Sequence, residues 1–200
     1  LTLEVVSAPF LKTQPGRLTF RYGEPDALPR FLAQVGWGEL TVITHPTNPL
    51  ASLSVEEVRA VYAGRIQTWE QLAGSKSAQT AGEIHPWTYL QGDDQRQVFE
   101  TWMGSGVSPS LYQAPNAEAM LAAVRDDPLA MGYVLNRWLE AGVKAVKLEG
   151  NTDRLTQPIL LLADAEPTGA DRRLLACLQK NNPAQGRFTP TLNTGSLPNP

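Results

Sequence analysis

The residue types that most often act as nucleophiles, general bases or metal ligands are sparse in this chain of 200 residues. It has two histidines, His45 and His85, and one cysteine, Cys177. A single cysteine excludes an internal disulfide and a cysteine-based zinc site, and two distant histidines argue against a histidine-rich metal centre. The sequence also lacks Gly-x-Ser-x-Gly, His-Glu-x-x-His, a phosphate loop and a dinucleotide fingerprint. We therefore expect no metal, no cofactor and no enzymatic activity.

Residues 93–103 have the apolar pattern of a helix, and the polar residues at its start are the first candidates for binding. The candidates are Gly92, Asp93, Asp94, Gln95 and Arg96. Carboxylates at a helix start are good N-caps, because they accept hydrogen bonds from free backbone amides. Asp93 and Asp94 are therefore either caps or ligand contacts. The guanidinium of Arg96 either contacts a ligand or forms an ion pair with Asp93 or Glu100.

Two further polar residues are candidates at other elements. Asn116 stands before a second helical pattern at 117–126, where it either donates to a ligand or caps the helix. Tyr133 lies in an apolar Gly-Tyr-Val segment, where it is either part of the core or part of a cleft wall. Cys177 stands beside leucines at helical spacing, so we expect a small buried side chain there.

Strand and helix patterns alternate along the chain at short spacing, which predicts an α/β fold. Ser54 and Glu57 form a capping box at the start of one helix. Leu28, Phe31, Leu32 and Val35 have helical spacing, with Gly36 and Gly38 as the end signal. The predicted strands are 3–6, 18–20, 40–44, 84–90, 132–135, 143–148 and 158–163. The predicted helices are 26–35, one that follows Ser54 and is ended by Gly64, 69–74, 93–103, 117–126 and 170–179.

Composition excludes several classes of protein. The chain has 17 Lys and Arg against 20 Asp and Glu, a formal net charge of −3, so it lacks the basic excess of a nucleic-acid binder. No apolar run approaches the roughly 18 residues that a membrane span needs. The first residues do not resemble a signal peptide, so we expect any signal or lipid anchor to have been removed. Low charge and one cysteine fit a protein outside the bacterial cytoplasm, either periplasmic or at the cell surface.

Four segments in order resemble the substrate-binding proteins of phosphate-type ABC transporters, which have the periplasmic-binding-protein-like fold. Residues 40–72 are similar to that family's strand, Asn-Pro turn, capped helix and Gly-[Lys/Arg]-Ile-x-x-Trp segment. DDQRQVFETWM at 93–103 resembles its Ser-Gly-Thr-Arg helix, and 116–134 resembles its Ala-Val to Gly-Tyr-Val run. Residues 154–179 are similar to its returning strand, Gly-x-Pro-x-Gly turn and final helix.

The resemblance implies two α/β lobes with a mixed sheet and a ligand cleft between them. The first lobe would be reduced, built from 1–45 and 150–180, because the family's opening anion-binding Gly-Ser loop has no counterpart here. The second lobe would span 46–149. Residues 181–200, rich in Pro, Asn and Gly, would form a C-terminal arm.

The resemblance also implies a function, namely non-catalytic capture of a small solute outside the cytoplasm for an ABC permease. The solute would be an oxyanion such as phosphate, bound by residues 92–96 with Asn116 and Tyr133. Arg96 matches the family's arginine, but Asp93 and Asp94 replace small and hydroxyl residues and would repel an oxyanion. The alternative is a ligand-sensing or protein-interaction domain that has kept the fold and lost the transport ligand.

Overall fold

A computed structural model describes residues 17–25, 29–73, 81–104, 107–108 and 111–181. The predicted strand at 3–6, most of the loop at 74–82 and the C-terminal arm after Asn181 lie outside these residues. The strands are β1 (Thr19–Tyr22), β2 (Phe31–Thr44), β3 (Ser52–Ser54), β4 (His85–Tyr89), β5 (Tyr112–Ala114), β6 (Ala130–Leu135), β7 (Lys144–Ala145), β8 (Lys147–Glu149) and β9 (Thr156–Ala163). The helices are α1 (Val55–Tyr62), α2 (Trp69–Ala73), α3 (Asp94–Met103), α4 (Ala117–Asp126) and α5 (Gly169–Asn181).

The main sheet is mixed, with the strand order β1-β9-β2-β6-β4-β5 and β7 beside β2. Residues 31–39 of β2 pair antiparallel with β9, whereas residues 40–44 pair antiparallel with β6. We call β1, β9 and residues 31–39 the β9 half of the sheet. Residues 40–44 with β6, β4 and β5 form the β6 half, in which β4, β5 and β6 run parallel. The α/β fold with a mixed sheet is as predicted, and the assignment of lobes stays a prediction.

The predicted helix at 26–35 is wrong, because residues 31–35 belong to the 14-residue strand β2. Leucine, phenylalanine and valine at helical spacing also suit a strand that is covered on both faces. Long-range pairing with β9 decides the outcome here. Gly38 does not end a helix but lets two neighbours approach β2, since a Cβ there would lie 2.9 Å from Leu135 Cδ2 and 3.1 Å from Tyr22 Cε2.

Most other predicted elements are confirmed within a residue or two. The capping box of α1 is present, since the Ser54 hydroxyl accepts from the amide of Glu57 and the Glu57 carboxylate accepts from the amide of Ser54. The predicted strand at 143–148 is instead two short strands. Val146 still donates its amide to Val42 of β2, whereas Lys147 donates to Ala51 and so begins a new pairing. β8 then pairs parallel with β3.

The core lies between the β6 half and the helices that cover it. All six residues of β6 are buried, and the inner faces of α1, α3 and α4 pack against the sheet. Phe99 of α3 stacks on Tyr133 of β6 with ring centroids 3.9 Å apart, and Tyr62 of α1 meets both rings edge-on. This packing fixes α3, and therefore its first turn, against the sheet.

The outer elements give two further findings. Cys177 on α5 is exposed, so the prediction of a buried side chain is wrong. Its neighbours Leu175 and Leu178 face the core instead, which leaves Cys177 on the solvent side of the helix. Among the described residues, no helix has the length and apolar character needed to cross a membrane.

Candidate functional site

The predicted binding segment lies where three parallel strands end. Tyr89 of β4 pairs with Ala114 of β5, and the chain continues from these strands into the first turns of α3 and α4. The end of β6 lies at the same edge, since the amide of Leu135 donates to Gln95 Oε1 at 3.2 Å. In α/β sheets, ligands bind outside the carboxyl ends of parallel strands, where helices begin and their amides are free.

The first turn of α3 is closed by its own side chain. Gly92 has a φ of +85°, which a residue with a Cβ rarely adopts, and it turns the chain from β4 into the helix. Asp93 then caps α3, because its Oδ1 accepts from the amide of Gln95 at 2.8 Å. The carboxylate of Asp93 therefore already accepts from one of the backbone amides at the helix start.

Asp93 is buried, with 9% of its surface exposed. Burial raises the pKa of its carboxyl from 3.8 to about 6, against the lowering effect of the amide of Gln95. The negative charge of Asp94 raises the pKa further. Asp93 is thus an acid that exchanges its proton in a mildly acidic range, and when protonated it can donate a hydrogen bond.

Asp94 does not cap the helix but reaches the β9 half of the sheet. Arg21 Nε of β1 donates to both carboxylate oxygens of Asp94 at 2.8 Å, and the amide of Tyr22 donates to Oδ2 at 3.0 Å. The guanidinium neutralises one of the two negative charges at the start of α3. The repulsion of an oxyanion expected from two carboxylates is reduced accordingly.

Gln95 and Arg96 are also engaged within the protein. Arg96 Nε donates to Glu100 Oε1 at 2.7 Å, one turn along α3, and Arg96 Nη1 donates to the carbonyl of Tyr89 at 3.0 Å. The ion pair with Glu100 that the sequence offered is therefore present. These bonds tie the first turn of α3 to the end of β4.

The other two candidates take different positions. Asn116 is exposed and caps α4, with its Oδ1 accepting from the amide of Ala119 at 2.9 Å. It shares the sheet edge with the start of α3. Tyr133 is fully buried, and its hydroxyl lies 2.7 Å from Thr88 Oγ1. It belongs to the core beneath the segment rather than to its surface.

Tyr89 is a buried neighbour of this segment. It is fully buried, its hydroxyl has no hydrogen bond of normal geometry among the described residues, and the Gln95 side chain is a polar group that approaches it. Burial raises the pKa of Tyr89, and Tyr133 and the charge of Asp93 raise it further. Among the described residues, no group of three or more His, Cys, Asp and Glu side chains could hold a metal ion. The chemistry available here is hydrogen bonding and charge pairing.

Sequence reasoning missed Arg21 and Tyr22. Their contacts with Asp94 join residues more than seventy positions apart in the chain. The only local signal was the apolar pattern that predicted a strand near 18–20. Nothing in that pattern indicates which element the arginine reaches.

Residues 27–186 match the family described as PBP superfamily domain, and the chain belongs to this family. Among curated proteins, none matches the sequence.

Solved structures with the same fold include phosphate transport proteins and a regulatory domain. An ABC-type phosphate transport receptor from Vibrio cholerae is 18% identical, with a TM-score of 0.60, and the match covers 82% of this chain and 73% of that one. A putative phosphate ABC transporter substrate-binding protein with bound phosphate from Clostridium perfringens is 16% identical, with a TM-score of 0.68 and coverage of 81% and 72%. The CcmR regulatory domain of Synechocystis PCC6803, in complex with 2-PG, is 11% identical, with a TM-score of 0.55 and coverage of 82% and 73%. At these identities the likeness concerns the fold.

Proposed function

We propose that this protein is a non-catalytic solute-binding domain that captures a small oxyanion outside the cytoplasm and delivers it to an ABC permease. One observation carries the proposal. The first turns of α3 and α4 meet the carboxyl ends of β4, β5 and β6 beside the point where β2 passes from one half of the sheet to the other.

The nature of the ligand follows from the groups at this edge. Helix starts favour negative charge, and Arg21 and Arg96 supply two cations beside α3. The Asp93 carboxylate and an oxyanion would repel each other if both were charged. Asp93 therefore favours a ligand that carries a proton, or a pH at which one proton is shared between the ligand and the carboxyl. Phosphate, which the two transport relatives carry in their names, is the first solute to try.

Within this proposal, residues 92–96 and Asn116 surround the ligand, and Tyr133 supports them from the core. Hinge motion at residues 39–40 of β2 would open and close the site, since the strand changes partners there. The division into a reduced first lobe and a second lobe at 46–149 is part of the same proposal.

Thermal unfolding with a panel of solutes tests the proposal. The panel contains phosphate, sulfate, molybdate, tungstate, amino acids and sugars, with sodium chloride as the control for ionic strength. A solute at 100 times its dissociation constant stabilises by roughly 2.7 kcal/mol, which raises the melting temperature by about 5 to 10 °C. We expect one oxyanion to give this shift.

A matched pair of variants locates the effect. Arg96→Ala removes a cation from the start of α3, whereas Arg59→Ala removes one from α1, where it pairs with Glu56. Each variant is compared with its own ligand-free melting temperature. We expect Arg96→Ala to lose the ligand-dependent shift and Arg59→Ala to keep it, and a shift retained in Arg96→Ala would exclude Arg96 from the site.

A second candidate function is a ligand-sensing or protein-interaction domain that no longer carries a transport ligand. It is favoured by the internal engagement of Asp93, Asp94 and Arg96, each of which has a partner in its own chain. The fold likeness to the CcmR regulatory domain also fits this use. A protein that unfolds cooperatively yet shows no shift with any solute of the panel would favour this candidate over the first.

A further inference from the structure

The contact between Arg21 and Asp94 joins the two halves of the sheet. Arg21 lies in β1, which pairs with β9, whereas Asp94 opens α3, which follows β4 of the other half. In the described part of the chain, β2 is the strand that belongs to both halves. The ion pair therefore connects the two halves of the sheet through side chains, in addition to the backbone connection through β2.

The pair is shielded from water and well oriented. The side chains of Arg21 and Asp94 are 22% and 13% exposed. The carboxylate also accepts from the amide of Tyr22, and the Tyr22 hydroxyl donates to the carbonyl of Leu155, so the end of β1 is fixed beside α3. A guanidinium held in this way is already oriented towards the start of the helix.

The chemistry of the pair indicates a second partner for Arg21. The planar fork of a guanidinium binds a carboxylate and a tetrahedral oxyanion through the same two parallel hydrogen bonds. Asp94 thus provides from within the chain the type of oxygen pair that an oxyanion would bring.

We propose that Arg21 is a ligand contact of this site and that Asp94 holds its guanidinium until an oxyanion takes the place of the carboxylate. This inference rests on the proposed function, because it assumes that the ligand binds at the start of α3. It adds a binding residue from β1, which lies before the residues that match the family, 27–186. It also gives Asp94 a role as a competitor of the ligand.

Binding of inorganic phosphate by titration calorimetry tests the exchange. In Asp94→Asn the competing charge is gone, so we expect phosphate to bind at least about tenfold more tightly than in the wild type. In Arg21→Gln the cation is gone, so we expect phosphate to bind at least about tenfold more weakly than in the wild type. The affinity of Arg21→Lys should lie between those of the wild type and Arg21→Gln. Glu56→Gln, which breaks the exposed Arg59–Glu56 pair on α1, is the control and should bind as the wild type does.

Unchanged binding in Arg21→Gln, or weaker binding in Asp94→Asn, would overturn the proposal. Hydrogen exchange in the ligand-free proteins provides a separate readout that needs no ligand. The amide of Tyr22 should exchange faster in Asp94→Ala, which removes the acceptor oxygens, than in the wild type and Glu56→Gln. Unchanged exchange in Asp94→Ala would show that Asp94 does not hold β1.

The two readouts distinguish the failure of this inference from the failure of the proposed function. In one outcome, phosphate and sulfate bind to none of these proteins while hydrogen exchange at the Tyr22 amide responds as expected. The solute-binding function is then wrong, and so is the replacement of Asp94 by an oxyanion. If an oxyanion binds equally to the wild type and Arg21→Gln, the solute-binding function stands and the role of Arg21 is wrong.

Discussion

Asp93 lowers the stability of the folded protein at neutral pH. Its pKa of about 6 lies above the ordinary value of 3.8, chiefly because the side chain is buried. The folded protein therefore binds the proton more tightly than the unfolded chain, and the free energy of unfolding falls as pH rises through this interval. The whole cost is present above about pH 6 and disappears below about pH 4.

Asp93→Asn tests this cost directly. Asparagine is as good an N-cap as aspartate, so the hydrogen bond to the amide of Gln95 is kept and the charge is removed. We expect the variant to be about 3 kcal/mol more stable than the wild type near pH 7.5, with the difference vanishing near pH 4. Urea unfolding at both pH values measures it, and a difference that does not depend on pH would contradict the raised pKa.

At the scale of single residues, local roles could be predicted and distant ones could not. The caps of α3 and α4 follow from Asp93 and Asn116 at helix starts, a relation between neighbours in the chain. The sequence left open whether Arg96 pairs with Glu100, and their spacing of one helical turn allows it. The partner of Asp94 was not predictable, because it depends on how β1 and α3 meet in space.

Most helices form where local sequence signals predict them, and the exception is the first half of β2, where pairing within the sheet decides. The helices α1, α3 and α4 have caps and apolar faces in their own sequences. β2 has no such local determinant, and its first half is a strand because β9 pairs with it along residues 31–39. A helical spacing of leucine and phenylalanine cannot distinguish these outcomes.

Ser54→Ala tests the capping box of α1. The substitution removes the hydroxyl that accepts from the amide of Glu57 and leaves Glu57 without its side-chain partner. We expect the free energy of unfolding to fall by about 1 kcal/mol. Thr101→Ala, on the exposed side of α3, is the control and should change it by less than about 0.5 kcal/mol. Equal effects of the two substitutions would show that the box does not stabilise the protein.

For the whole molecule, the order of four motifs predicted the family, and the match over residues 27–186 confirms it. The mixed sheet is likewise as expected. Neither the pairing of β1 with β9 nor the reach of Arg21 to α3 was foreseen. Both arise from contacts between segments that are far apart in sequence.

The central claim is that the protein binds a small oxyanion at the start of α3 without transforming it. Native mass spectrometry of the protein as purified, followed by addition of phosphate near pH 5 and near pH 7.5, tests this claim most directly. We expect one oxyanion per chain, released unchanged on unfolding and bound more weakly by Arg21→Gln. A protein that carries no small molecule and takes up none at either pH, or that returns the added solute chemically altered, would contradict the account.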